Sequence, residues 1–258
     1  MTAAAIEVDG LVKRYKGAER NAVDGVSFAV ERGAFFTLLG PNGAGKTTTL
    51  NVLTTILAPT SGSARVAGYD VRAQQSEVRR RVGIIFQTPS LDQNLTGEEN
   101  IRLHAVLYGV EPYRPAYRLM SKGYRDRVSE LATLLGIVAD IFKPVRTYSG
   151  GMKRKLEIVR SLMHRPAVLF LDEPTSGLDV KSRRQLWQYL REVRERSGTT
   201  LLLTTHYLEE AEDADAVCII DKGRIVAQGS PARLKGTAGN ALNLEDAYLR
   251  ILADEAAQ

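Results

Sequence analysis

Cysteine is almost absent from this chain: Cys218 is the single one in 258 residues. An internal disulfide framework is therefore excluded, and a reducing compartment is expected. Set inside Ala216-Val217-Cys218-Ile219-Ile220, the thiol reads as part of a buried strand. Long apolar runs are missing too. None approaches the ~18–20 residues that a membrane-spanning helix needs, and the N-terminus carries no secretory pattern. The chain is expected to be soluble on its own and cytoplasmic. Internal repeats, low-complexity linkers and sustained heptads are likewise missing, so no coiled-coil arm is expected.

What is present is ordinary globular material, 44% apolar and 25% charged, with a net charge of +5. The basic clusters Arg79-Arg80-Arg81, Lys153-Arg154-Lys155 and Arg183-Arg184 are short and mixed with apolar residues. They read as solvated helix faces and not as a nucleic-acid groove.

One stretch organises the rest. Gly40-Pro41-Asn42-Gly43-Ala44-Gly45-Lys46-Thr47 has the spacing G-x-x-x-x-G-K-[ST] of a phosphate-binding loop. Phe35 to Leu39 before it reads as a buried strand; Leu50, Leu53, Ile56 and Leu57 after it recur at helical spacing as far as Pro59. Glycines let successive N–H groups turn inward toward phosphates, and the following helix presents its positive end to the same anion. Lys46 supplies a point charge for the β- and γ-phosphates, and the Thr47 hydroxyl can ligate Mg²⁺.

Further candidates follow in order. Tyr15 is either an aromatic platform for an adenine ring or a half-buried edge tyrosine. Val82 to Phe86 reads as a buried strand ending at Gln87, where folds of this kind place ligands. Between Thr88 and Arg165 no strand-like run occurs; Thr96-Gly97-Glu98-Glu99 is a capping box opening a helix to about Tyr108, and a second helix runs from about Lys122 to Leu135. This region reads as a helical insertion. Ser149 precedes a helix whose stripe is Met152, Leu156, Val159, Leu162 and Met163. Ser149-Gly150-Gly151 is a second anion site or, taken alone, simply an N-cap. Val168 to Leu171 is an apolar strand ending in Asp172 and Glu173, a pair of acids that calls for a counter-charge. Beside a phosphate loop, Asp172 becomes a metal ligand or its anchor, and Glu173 a base for water. Ser176 to Asp179 turns into a helix bearing Leu186, Leu190 and Val193. The strand Thr200 to Thr205 ends at His206. Two last strands pair through Asp221-Lys222-Gly223, and an amphipathic helix spans about Leu244 to Leu252.

In this order and spacing, Tyr15, Gly40 to Thr47, Gln87, Ser149-Gly150-Gly151, Val168 to Glu173, Ser176 to Asp179 and His206 resemble the motifs of the ATP-binding subunits of ABC transporters. The resemblance covers nearly the whole chain. It implies an α/β fold: a P-loop NTPase (RecA-like) core with an inserted α-helical subdomain and a small antiparallel β-subdomain. One nucleotide-binding domain would fill residues 1–258, with the core at about 1–87 and 164–235, the helical part at about 88–163 and a tail at 236–258. It implies ATP and Mg²⁺, with Tyr15 on adenine and Lys46, Thr48 and the loop amides on phosphates. Thr47 and Gln87 would reach Mg²⁺, with Asp172 anchoring it. Glu173 would polarise the attacking water, and His206 would contact the γ-phosphate. Ser149 and Gly151 would bind the γ-phosphate held by a second copy or a related cassette, so that two subunits sandwich two ATPs.

The sequence departs from the family's commonest Leu-Ser-Gly-Gly-Gln at Tyr148 and Met152, which leaves the serine and glycine contacts intact and removes a glutamine at 152. Tyr-Ser-Gly-Gly-Met with Leu91 to Asn100 is similar to the prokaryotic drug-, polysaccharide- and lipid-export branch. A separate transmembrane permease is the implied partner, nucleic acid is not, and the chain would sit peripherally on the inner face of the cell membrane. Two other readings stay open: a soluble ABC-type ATPase acting on nucleic acid or ribosomes, and an importer ATPase.

Overall fold

All five residues of β3 (Phe35–Leu39) are buried in the computed structural model, which describes residues 4–176, 178–239 and 241–256. The same holds for β7 (Val168–Asp172) and β8 (Thr200–Thr205). Strands covered on both faces lose the alternation of apolar and polar residues, which is why these three read as mostly apolar runs broken only by threonines and the terminal Asp172. β3 lies between β8 and β9 (Ala216–Asp221), parallel to both, and β7 is parallel to β8 on its far side. β10 (Arg224–Gly229) closes the other edge antiparallel to β9.

The chain forms two compact units. The first holds residues 1–82, 167–173 and 198–258. Besides the sheet ordered β10-β9-β3-β8-β7, it contains an antiparallel sheet ordered β2-β1-β4-β5. That second sheet is built from β1 (Ala4–Lys13), β2 (Val23–Glu31), β4 (Ser61–Val66) and β5 (Tyr69–Asp70). Phe28 of β2 stacks on Phe36 of β3 with ring centroids 5.0 Å apart, joining the two sheets through one core. The helices α1 (Lys46–Leu53), α2 (Gln75–Arg81), α7 (Leu208–Ala211), α8 (Pro231–Thr237) and α9 (Leu244–Ala256) belong to this unit.

α1 is shorter than its apolar spacing implies. It stops at Leu53 because Thr55 takes a left-handed φ of 63°, leaving Ile56 exposed instead of on the buried stripe. The Arg79 Nε–H donates to Thr55 Oγ1 at 2.8 Å and fixes that ending.

β6 (Val82–Ile85) carries the chain out of the first unit. The second holds residues 83–166 and 174–197, with α3 (Gly97–Leu107), α4 (Lys122–Leu134), α5 (Gly150–Leu162) and α6 (Val180–Ser197). The Thr96 side chain caps α3 and Glu99 reaches back to the Thr96 N–H at 2.8 Å, completing the capping box. Its core gathers Ile101, Ala105, Val128, Leu131, Ile141, Val145, Ile158 and Leu162. The sequence boundary near 163 gave α6 to the core, but α6 groups with the helices, because Leu186 and Tyr189 share a cavity of about 280 Å³ with Leu135 and Ile158. The segment from 236 groups with the first unit, where α8 and α9 pack on each other and on β10.

Candidate nucleotide site

Parallel register decides what meets at the site. Leu39 pairs with Thr205 and Asp172 with Thr204, so β3, β7 and β8 end at one edge of the sheet. Gly40, Glu173 and His206 follow directly. Ligands of open α/β sheets bind outside such carboxyl ends.

The phosphate loop can take its shape only with glycine at two tight points. A Cβ on Gly40 would lie 2.2 Å from the Ile220 carbonyl oxygen, and one on Gly45 (φ 106°) would lie 2.4 Å from that of Ala22. The β9–β10 turn braces the loop from outside. Its Gly223 N–H donates to Ala44 O at 2.9 Å, and its Gly223 carbonyl accepts the Asp24 N–H at 2.8 Å. Lys46 is 5% exposed, and its Nζ bonds the Gly40 and Pro41 carbonyls at 2.7 and 3.0 Å. Burial holds its pKa below the ordinary lysine value, while the nearby Glu173 and Asp172 carboxylates act against that shift.

Asp172 accepts two hydroxyls on one oxygen, Thr47 Oγ1 at 3.1 Å and Thr204 Oγ1 at 2.5 Å. Among the described residues no group of three or more His, Cys, Asp or Glu could cage a metal ion. A single carboxylate beside a hydroxyl suits Mg²⁺, which keeps several waters and completes its shell from phosphate oxygens. Glu173 holds φ at 45°, and its N–H is tied to the Thr204 carbonyl at 3.0 Å. The Glu173 Oε1 lies 3.1 Å from His206 Nδ1. Against an ionised carboxylate that ring nitrogen must carry the proton. Thr205 fixes the turn after His206 by accepting the Tyr207 N–H at 2.9 Å and donating to Glu210 at 2.6 Å. Tyr15 is 43% exposed, and its hydroxyl lies 3.2 Å from Thr48 Oγ1, so its ring stands beside α1.

Tyr15, Lys46, Thr47, Thr48, Asp172, Glu173 and His206 thus all belong to the first unit. Gln87 and Ser149-Gly150-Gly151 belong to the second, where Gln87 is exposed just past β6. The Ser149 hydroxyl accepts the Met152 N–H at 3.2 Å, which is the N-cap arrangement. A Cβ on Gly150 would meet nothing within 4 Å among the described residues, which leave the first turn of α5 open on that side. Tyr148 is buried, and its hydroxyl donates to the Asp140 carbonyl at 2.6 Å. Asp179 caps α6 through Ser182, at 2.9 Å to its N–H and 2.7 Å to its hydroxyl; Gly177 lies outside the described residues.

Two participants went unread in the sequence. Thr204 was taken only as strand, although a threonine at the buried end of a core strand signals a polar partner. Arg154 was placed on a solvated face, yet it is 4% exposed. Its spacing of three from Glu157 was the available signal.

A sheet whose strand ends gather a phosphate loop, a hydroxyl–carboxylate pair and a glutamate–histidine pair defines a P-loop ATPase. Residues 23–176 match the ABC transporter family, and the chain belongs to it as an ATP-binding subunit that hydrolyses ATP to drive transport. It is 43% identical over 254 residues to the daunorubicin/doxorubicin resistance ATP-binding protein DrrA of Streptomyces peucetius, covering 97% of this chain and 73% of that one. To the Nod factor export ATP-binding protein I of Ralstonia nicotianae it is 43% identical over 230 residues, covering 89% and 68%. A solved ATP-binding subunit of an ABC transporter superposes with a TM-score of 0.84 at 30% identity, over 96% of this chain and 99% of that one. A dimeric ATP-binding cassette in a post-hydrolysis state with ADP and Pi gives 0.77 at 26%, over 87% and 98%.

Proposed function

We propose that this chain powers an exporter: two cassettes close on two ATP molecules, and the closure works a separate membrane permease. The observation carrying the reading is the convergence of Thr47–Asp172 and Glu173–His206 at one sheet edge. The export direction is supported by the names of the relatives, which concern drug resistance and Nod factor export. Among the described residues no helix is long and apolar enough to cross a membrane.

In this reading Tyr15 stacks on adenine, while Lys46, Thr48 and the amides of residues 40–48 hold the phosphates. Thr47, Gln87 and Asp172 hold Mg²⁺, which when bound neutralises charge on the phosphate oxygens. Glu173 accepts a proton from the attacking water, and His206 orients Glu173 and reaches the γ-phosphate. Ser149, Gly150 and Gly151 of one copy meet the γ-phosphate held by the other.

Glu173→Gln keeps the side chain's size and removes its basicity. It is expected to leave ATP affinity unchanged and cut turnover on the order of 10²-fold or more, measured by phosphate release. Near-normal turnover would remove Glu173 from the role. The permease is tested through Leu91, a half-buried residue four positions past Gln87. A Leu91→Cys variant in a Cys218→Ser background, expressed with the neighbouring membrane protein, is expected to crosslink to it in an ATP-sensitive way. Failure to crosslink, together with recovery on ribosomes or nucleic acid, would replace the transport reading.

A further inference from the structure

The inner face of α5 carries an ion pair where its period calls for apolar residues. Arg154 and Glu157 are 4% and 0% exposed, with Arg154 Nη1 3.1 Å from Glu157 Oε2. A buried ion pair is by itself weak evidence of stability, since apolar side chains of similar volume commonly serve as well. What marks this pair is where its other bonds go. Arg154 Nε donates to the Pro174 carbonyl at 2.7 Å, and Nη1 donates to the Phe86 carbonyl at 2.5 Å. Glu157 Oε1 accepts the Ser90 N–H at 2.8 Å. One turn further, Arg160 donates to the Ser90 carbonyl and hydroxyl at 2.6 and 2.7 Å.

Phe86 is the residue before Gln87, and Pro174 is the residue after Glu173. A planar guanidinium can send N–H groups to both carbonyls at once, which the point charge of a lysine cannot. We propose that Arg154, with its charge balanced by Glu157, is a positioning residue for ATP hydrolysis. It ties α5, whose first turn carries Ser149, Gly150 and Gly151, to the chain where it enters Gln87 and where it leaves Glu173. Displacement of Gln87 by a bound nucleotide is thereby passed to the start of α5, and Glu173 is held at its C-terminal side. The inference rests on the reading of Gln87 and Glu173 as site residues.

The test compares wild type with Glu173→Gln, with Arg154→Lys, and with the double variant Arg154→Met, Glu157→Met. The double variant removes both charges of the pair at once, and Arg160, 3.8 Å from Glu157, keeps its two bonds to Ser90. Steady-state ATP turnover and thermal midpoints are measured on each. The double variant is expected to melt near wild type and to keep KM within about twofold, while kcat falls by roughly tenfold to a hundredfold, the size of effect that small misplacements produce. Arg154→Lys should recover only part of that rate. Wild-type kcat in the double variant, or a loss confined to KM, overturns the inference. If the double variant does not fold, Arg154→Lys decides: a lower kcat at unchanged KM supports the inference, and full turnover overturns it. Normal turnover in Glu173→Gln would instead overturn the reading beneath. An inactive Glu173→Gln beside fully active Arg154 variants removes the positioning inference alone.

Discussion

Glu173 holds a backbone conformation that costs a non-glycine residue about 1–3 kcal/mol and persists only where its surroundings enforce it. The bond from its N–H to Thr204 and the contact to His206 are that enforcement, and they aim the carboxylate along the sheet edge. His104 shows the opposite economy of charge. On α3 it stacks on Tyr108 at 4.2 Å, near His164, with a buried Nε2 that has no hydrogen-bond partner among the described residues. Burial first, then the Arg160 and His164 charges, push its pKa down to about 3. The unfolded chain takes up this proton near pH 6.5, whereas the folded chain resists it until about 3. Stability attributable to His104 is therefore complete above pH 6.5 and is lost as pH falls from there toward 3. His104→Phe keeps the stacked ring and removes the proton. Urea unfolding across pH 6 to 4 should show a slope shallower by about 1.4 kcal/mol per pH unit, the value for one proton. Equal slopes in the two proteins would dismiss His104 as the cause.

Among the elements, α3 and the start of α5 are joined through one glycine. A Cβ on Gly97 would sit 2.6 Å from the Tyr148 hydroxyl and 3.0 Å from the Ile141 carbonyl oxygen. Gly97→Ala is expected to destabilise the fold by about 1–3 kcal/mol. Adding Tyr148→Phe should return part of that loss, because the nearest atom is removed. Strictly additive changes in chemical denaturation would show that the two positions do not couple. This contact also accounts for a tyrosine at 148, where the family's commonest residue is leucine: the hydroxyl reaches the carbonyl of Asp140, eight residues back in the turn after α4. Elements whose cause is local were legible beforehand. The strand–loop–helix around Lys46, the capping box at Thr96 and the turn at Lys222 each depend on residues a few positions apart. The end of α1 was not legible, since Thr55 is no glycine and its left-handed turn is fixed by Arg79 from another helix. Arg154 escaped for the same reason: Phe86 and Pro174, which give it meaning, lie far from it in sequence.

At the scale of the molecule, the proposed working state is a pair of cassettes closed on ATP. Ser149→Arg would put a bulky cation where the second copy's γ-phosphate docks, while Lys46 of the same chain stays untouched. Combined with Glu173→Gln to hold ATP uncleaved, it is expected to bind ATP as a monomer, whereas Glu173→Gln alone should double in mass by light scattering. An ATP-dependent dimer in the combined variant would count against the sandwich. The sheet also imposes an order on biosynthesis. β3 and the phosphate loop are translated early, yet the strands that flank β3 and the hairpin that braces the loop lie at 200–229. At about 5–20 residues per second, β3 waits on the order of ten seconds or more with both edges unpaired. A nascent chain halted after Asp172 therefore presents an apolar strand without neighbours, open to pairing with other chains. Until residue 223 has emerged, the bond from Gly223 N–H to the Ala44 carbonyl that braces the phosphate loop cannot form.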